Sequence, residues 1–436
     1  MSLNSVPPGP SSLPLIGVIP QLIRDPLGTF VSMHKNFGGF VRFQKGRSFR
    51  YICFDPEGIH HILVNNSKNF TKSRRYEKLK TFLGAGLVTT EGTQWQSLRK
   101  TAQPGFAPPA MKDYFHTIKS VTAATIGRIQ ETGSMDLQAQ MIELTLSIIS
   151  QTMFHLDLAS QTEVLSPAFE YCVSFMNHRM EAFIDWNEYY TTSEGKKFNS
   201  YKQTIDRLML DIISERKKNL GQHRDYLESL LYEQNKNPQE ITDHVIKDQL
   251  ITFVMAGHET SANMLSWTIL LLLKHPEILK SATELCRTIN PSEFGDLTQL
   301  APLENILKES LRLFPPVWMI SRDAINQDTI LGFSIEAGST INICPYVTHR
   351  SPRYWEQPLE FIPSRFERNY NKKAFIPFSS GPRACIGSQL ALLEGKWILY
   401  QILKNFDLAC DRLDLEPHIS VVLKPKSSHK IQCTKA

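Results

Sequence analysis

The chain has 436 residues, with 48 Lys+Arg against 43 Asp+Glu and a formal charge of +5. Its 42% hydrophobic and 21% charged content is ordinary for a folded chain, which excludes a disordered, collagen-like or all-polar scaffold. No dense Lys/Arg run accompanies the basic excess, so nucleic acid is not an expected partner, while an acidic protein is compatible with it.

Seven cysteines stand at positions 53, 172, 286, 344, 385, 410 and 433. The number is odd, the spacings are wide and no C-x-x-C unit occurs, so neither a disulfide framework nor a zinc ribbon is indicated. A reducing, cytoplasmic compartment is expected. Near the start of the chain Pro7, Pro8, Pro10, Pro14 and Pro20 interrupt the apolar residues. The roughly 20 consecutive apolar residues of a membrane span do not occur, so no transmembrane anchor is expected.

After the Pro-rich lead, residues 27–36 read as a short helix. Residues 41–44 and 51–54, separated by Gly46 and polar residues, read as a hairpin. Asp55-Pro56-Glu57 then opens a helix with a capping acid and a proline in the first turn. Helical periodicity dominates residues 110–290, including 137–158, with 218–237 as a polar surface connection. The stretch 250–274 predicts one long helix of about 37 Å, ending before Pro276. Beyond residue 315 the texture changes to short β-like pieces at 329–335 and 340–343, then an irregular segment at 346–383. A helix at 386–403 and strands at 408–411 and 418–423 close the chain.

The sharpest local feature is Phe378-Ser379-Ser380-Gly381-Pro382-Arg383-Ala384-Cys385-Ile386-Gly387. A cysteine just ahead of a helix meets that helix's positive end and its unpaired N–H groups, both of which favour a thiolate. Gly381 permits a tight loop, Gly387 leaves room for a flat ligand, and Arg383 can pair with a carboxylate on it. A single thiolate so placed suits haem iron. The pattern F-x-x-G-x-R-x-C-x-G resembles the haem-binding loop of the cytochrome P450 family.

Three further stretches extend the resemblance. Ala256-Gly257-His258-Glu259-Thr260-Ser261 lies in the long helix. Its small residues leave a groove, and the resemblance makes Glu259 and Thr260 the acid and alcohol that relay protons to bound oxygen. A zinc hydrolase would need His where Ala262 stands. Glu309-Ser310-Leu311-Arg312 resembles the family's buried E-x-x-R pair, completed by Arg365 of Pro363-Ser364-Arg365-Phe366, where Ser364 departs from the usual Glu. These three are expected to be structural. Trp95-Gln96-Ser97-Leu98-Arg99 resembles W-x-x-x-R. By the same resemblance Trp95, Arg99, Arg322, Arg383 and His349 are candidates for the haem propionates, with His349 the weaker. Ser351 replaces the common Asp in Thr348-His349-Arg350-Ser351-Pro352. No G-x-S-x-G, Walker loop or dinucleotide glycine pattern completes itself.

The resemblance implies a mainly α fold with small β-sheets, one large domain over residues 1–436, of the soluble, bacterial-like form. It implies a haem-thiolate monooxygenase carrying haem b (iron protoporphyrin IX) on Cys385. One atom of O2 would enter a small lipophilic substrate, such as a fatty acid, terpenoid or steroid. With 51 residues after Cys385 no reductase is fused, so a separate ferredoxin, flavodoxin or reductase is expected, attracted by basic residues including Lys100 and Lys396. A monomer is expected. The substrate pocket would draw on residues 74–88 (Phe82, Leu83, Leu87), on Phe253 and Ala256, on Val317, Met319 and Ile320, and on the turn near Ser420, with Arg74 and Arg75 able to hold a carboxylate. Two other classes stay open: a haem-thiolate isomerase or dehydratase needing no reductase, and a non-catalytic haem or lipid carrier.

Overall fold

The computed structural model describes residues 6–11, 16–46, 48–156, 162–181, 191–223 and 225–436. The chain forms two compact units. The first joins Met1–Arg75 to Lys308–Cys385, the second Tyr76–Leu307 to Ile386–Ala436.

A five-stranded sheet organises the first unit. Its strands lie in the order Phe40–Lys45, Ser48–Cys53, Thr340–Ile343, Ile320–Ala324 and Phe70–Lys72. The first two form the expected hairpin, in antiparallel register from Phe40 opposite Cys53 to Lys45 opposite Ser48. Tyr51–Cys53 then runs parallel to Ile341–Ile343, a pairing no local pattern announces. Phe40, Cys53, Ile59, Ile62, Ile320, Ile341 and Ile343 form the core beneath it. The helix Pro26–Phe37 opens where Asp25 accepts the Gly28 amide at 2.9 Å. Residues 329–335 resolve into two strands, Asp328–Ile330 and Phe333–Ile335. Leu331 and Gly332 between them both take positive φ (50° and 84°), as a tight hairpin turn requires.

The second unit is mainly helical. The long helix runs Asp243–Lys274, 32 residues or about 48 Å, and the Thr242 hydroxyl accepts the Val245 amide at its start. The sequence places its start at 250 because residues 243–249 are mostly polar. Lys247, Asp248 and Gln249 are nevertheless buried and satisfied. Asp248 accepts the Ala85 amide at 2.7 Å, and Gln249 donates to the Ala85 carbonyl at 3.0 Å. The helix Leu137–Phe154 packs along it and ends at His155 in the left-handed region; residue 158, where the expected helix ended, lies outside the described residues.

Two expectations are corrected. Residues 218–237 are not a surface connection. The helix Ser193–Lys218 ends there and a second helix, Tyr226–Lys236, follows, with Tyr226, Leu227, Leu230 and Leu231 buried. At the C-terminus the strands are Phe406–Ala409 and the hairpin Pro417–Ile419 with Leu423–Pro425, plus an unforeseen strand, Lys430–Lys435. That strand pairs with both Ser134–Asp136 and Phe406–Ala409. Among the described residues no helix is long and apolar enough to cross a membrane.

Candidate active site

The first unit carries the cysteine loop. Phe378 opens a chain reversal in which Ser379 and Gly381 both take positive φ, 61° and 75°. A Cβ on Gly381 would stand 1.9 Å from the Leu63 carbonyl oxygen, so only glycine fits. A short 3-10 turn, Gly381–Arg383, follows, and the Cys385 amide donates to the Phe378 carbonyl at 2.9 Å. The last helix begins at Ser388, two residues later than expected, with Gly387 at its cap. Arg383 is half-buried and Cys385 is exposed. Cys53, Cys172, Cys286, Cys344 and Cys433 are all buried, and burial pushes each of those thiols up, away from the thiolate.

Glu309, Arg312 and Arg365 come together in the same unit. Glu309 and Arg312 are both 0% exposed. Arg312 donates to Glu309 through Nε at 2.7 Å and through its terminal nitrogen at 2.9 Å, and Arg365 Nε reaches the same carboxylate at 2.9 Å. The remaining Arg312 protons go to the carbonyls of His349, Pro358 and Glu360. The two arginines thus tie irregular backbone together, as buried charges must when paired.

His349 is corrected as a propionate candidate. It is fully buried, its Nδ1 donates to the Arg312 carbonyl and its Nε2 accepts the Ile376 amide at 2.9 Å. Both ring nitrogens are used within the unit. Burial, with Arg312 and Arg350 nearby, pushes its pKa down to about 3, so the ring is neutral. Arg322 differs. It is 6% exposed on the strand Ile320–Ala324, donates to the Ser321 carbonyl at 3.0 Å, and forms no ion pair with a carboxylate among the described residues. Ile320 is buried, Met319 half-buried and Val317 exposed. Arg74 is exposed, and the Arg75 side chain lies outside the described residues.

In the second unit the long helix is buried almost throughout, yet at its middle Ala256 is exposed and Glu259 and Thr260 are partly open. The Thr260 hydroxyl donates to the Ala256 carbonyl at 2.7 Å and keeps its lone pairs available. Gly257 is explained otherwise than by a ligand groove. A Cβ there would meet Ile149 Cγ1 at 2.7 Å, so glycine lets the two helices close on each other. Burial raises the Glu259 carboxyl to about 7 against the opposing effect of Lys424. Trp95 and Arg99, both half-buried, share one face of the helix Gly92–Ala102. Phe82 packs on Phe169 and Phe198, and Phe253 stacks on Phe106 and meets Tyr226; Leu83 and Leu87 are also buried. Lys396 pairs with Glu304 at 2.7 Å and is largely covered, whereas Lys100 is exposed.

Sequence reasoning missed Glu394. It lies on the buried face of the helix Ser388–Asn405, bonded to Ser261, and burial raises it to about 8. The available signal was an acid inside an apolar run, Leu392-Leu393-Glu394-Gly395.

A family model described as Cytochrome P450 matches residues 7–432. The chain is 28% identical to cytochrome P450 4c3 of Drosophila melanogaster, over 98% of this chain and 89% of that protein. It is 27% identical to cyclooctat-9-en-7-ol 5-monooxygenase of Streptomyces melanosporofaciens, over 92% and 88%. Similarity to the cytokinin hydroxylase of Arabidopsis thaliana is 28%, over 94% and 82%.

Proposed function

Because the chain belongs to the cytochrome P450 family, we propose that it is a haem-thiolate monooxygenase in which the Cys385 sulfur would hold the iron of haem b. Arg322 carries the reading. A guanidinium 6% exposed, with no carboxylate partner among the described residues, requires an anion, and a haem propionate supplies one. The exposed Cys385 of the same unit fits that group. Arg322 and Arg383 of the first unit would hold the propionates, and the resemblance makes Arg99 and Trp95 further candidates. Bound there, haem would supply the chemistry of O2 activation and oxygen-atom insertion into substrate.

The chain's own residues have three tasks. The loop 378–387 fixes the sulfur's position through the Cys385 amide bond to Phe378. Glu259, raised to about 7, holds a proton and gives it up near neutral pH, and Thr260 passes it on through its hydroxyl. The resemblance assigns Leu87, Phe253, Met319 and Ile320 to the substrate, and their apolar character would favour a small lipophilic one. One relative is named for cyclooctat-9-en-7-ol and another for cytokinin. Electrons would come from a separate ferredoxin, flavodoxin or reductase.

The test is spectroscopic. The haem-loaded chain, reduced under carbon monoxide, should show the red-shifted band of thiolate ligation, and Cys385→His should abolish that band. An imidazole-type band in the wild-type chain would overturn the assignment.

A further inference from the structure

The second unit contains a cavity of about 630 Å³ with Glu259 in its wall. Helix Thr162–Glu181 contributes Glu170, Tyr171 and His178 to the same cavity, and helix Ser193–Lys218 contributes Lys197 and Tyr201. The hairpin Pro417–Pro425 adds His418 and Lys424, which stand opposite each other in its register.

These charged groups are not equivalent. Lys197 lies over the ring of Tyr171, another lining residue, at 4.6 Å. Lys424 is placed by backbone. The Leu423 carbonyl, one residue before it, accepts the Trp267 indole N–H at 3.3 Å. Trp267 is on the long helix, eight residues beyond Glu259, so the hairpin strand is pinned to the helix that carries the acid. The Lys424 ammonium is 3.4 Å from Glu170, whose side chain is 74% exposed at the rim. A partner that open is held weakly.

We propose that Lys424 is a positioning residue for Glu259, its ammonium shared between Glu170 at the cavity rim and Glu259 in the wall, so that the hairpin governs when Glu259 releases and regains its proton. The proposal rests on the reading of Glu259 as a proton carrier. Each transfer is balanced: Glu259 gives a proton to the Thr260 hydroxyl, which passes its own on to the reacting oxygen, and Glu259 regains one from bulk solvent, relayed through water in the cavity. Burial favours the neutral acid; Lys424 opposes burial, and Glu170 adds to it. Removing Lys424 therefore favours the neutral acid, and removing the Glu170 charge turns the ammonium wholly to Glu259.

The experiment uses the full, haem-loaded chain and its K424M, E170Q and K424R variants. Infrared titration reads the Glu259 carboxyl after subtraction of Glu259→Gln, independent of turnover. Oxygen consumption driven by a surrogate plant-type ferredoxin and its reductase gives a pH profile. K424M should move the infrared midpoint up by about half a pH unit, E170Q should move it down, and K424R should restore it, as expected for a partly screened charge. An unchanged midpoint in both K424M and E170Q overturns the proposal. A midpoint that moves while the oxygen-consumption profile stays fixed supports the coupling of Lys424 to Glu259 and overturns instead the role of Glu259 in catalysis.

Discussion

Glu309 accepts four hydrogen bonds, two from Arg312, one from Arg365 and one from the Ile362 amide. Breaking a buried charge network strands the remaining charges, which costs about 3–5 kcal/mol. Urea denaturation of E309Q should show a loss of that size, and R365A, which leaves the Glu309–Arg312 pair intact, a loss of about 2 kcal/mol. Equal midpoints for wild type and R365A would remove the bracing role. Two buried titratable groups give opposite pH signatures. His349 is held near 3 in the fold, below its unfolded value, so its contribution is complete above about pH 6.5 and is lost as pH falls toward 3. Glu394 is raised to about 8, so its contribution is complete below about pH 4.5 and is lost as pH rises through 8. Comparing stability across pH for H349Q and E394Q with wild type should flatten the acid slope in the first variant and the basic slope in the second.

Helices here depend on polar caps and on close approach as much as on apolar stripes. Asp225 caps Tyr226–Lys236 by accepting the Glu228 amide at 2.8 Å, and it also accepts from Arg216 at 2.6 Å and from His155. These partners hold its carboxyl below the usual range despite burial. D225A removes a cap and the main partner of a buried guanidinium at once, so a loss of about 3–5 kcal/mol in thermal or urea unfolding is expected. The close approach at Gly257 predicts a different failure. G257A forces a methyl into Ile149 and should cost about 1–3 kcal/mol. Adding Ile149→Ala should recover part of that loss, because the shortened side chain makes room. Absence of any recovery in the double variant would assign Gly257 to something other than helix packing.

At the scale of the whole molecule the charge of +5 sets long-range behaviour rather than fold. An acidic electron donor should reduce the haem-loaded chain more slowly as salt rises, with the fall greatest between about 10 and 150 mM ionic strength, where the screening length shrinks from about 30 to 8 Å. Stopped-flow reduction by ferredoxin is the measurement. K100E should slow it at low salt. Lys396, committed to Glu304, is a poor choice for this test even though the sequence suggests it. A rate insensitive to salt would remove the electrostatic role.

Much of the chemistry was legible because it is local. The loop 378–387 and the Glu259-Thr260 pair are contiguous in sequence, and their spacing carries the family resemblance. Asp55 and Thr340–Ile343 were readable for the same reason, since caps and short β-branched runs act over a few residues. What remained hidden depends on partners far away along the chain. The helix beginning at Asp243 needs the backbone at Ala85 to satisfy its polar first turns, and Tyr226–Lys236 needs Arg216 and His155 to cover its cap. Trp95 and Arg322 were legible as residue types, but the burial that leaves Arg322 in need of an anion belongs to the sheet around it. His349 looked like a ligand for a carboxylate and became a neutral link in the core, because the Ile376 amide and the Arg312 carbonyl reach both its nitrogens first. Residue types dictate which atoms can do chemistry. Tertiary structure decided which of them are already spoken for, since hydrogen-bond capacity is finite and burial makes every unfilled site costly.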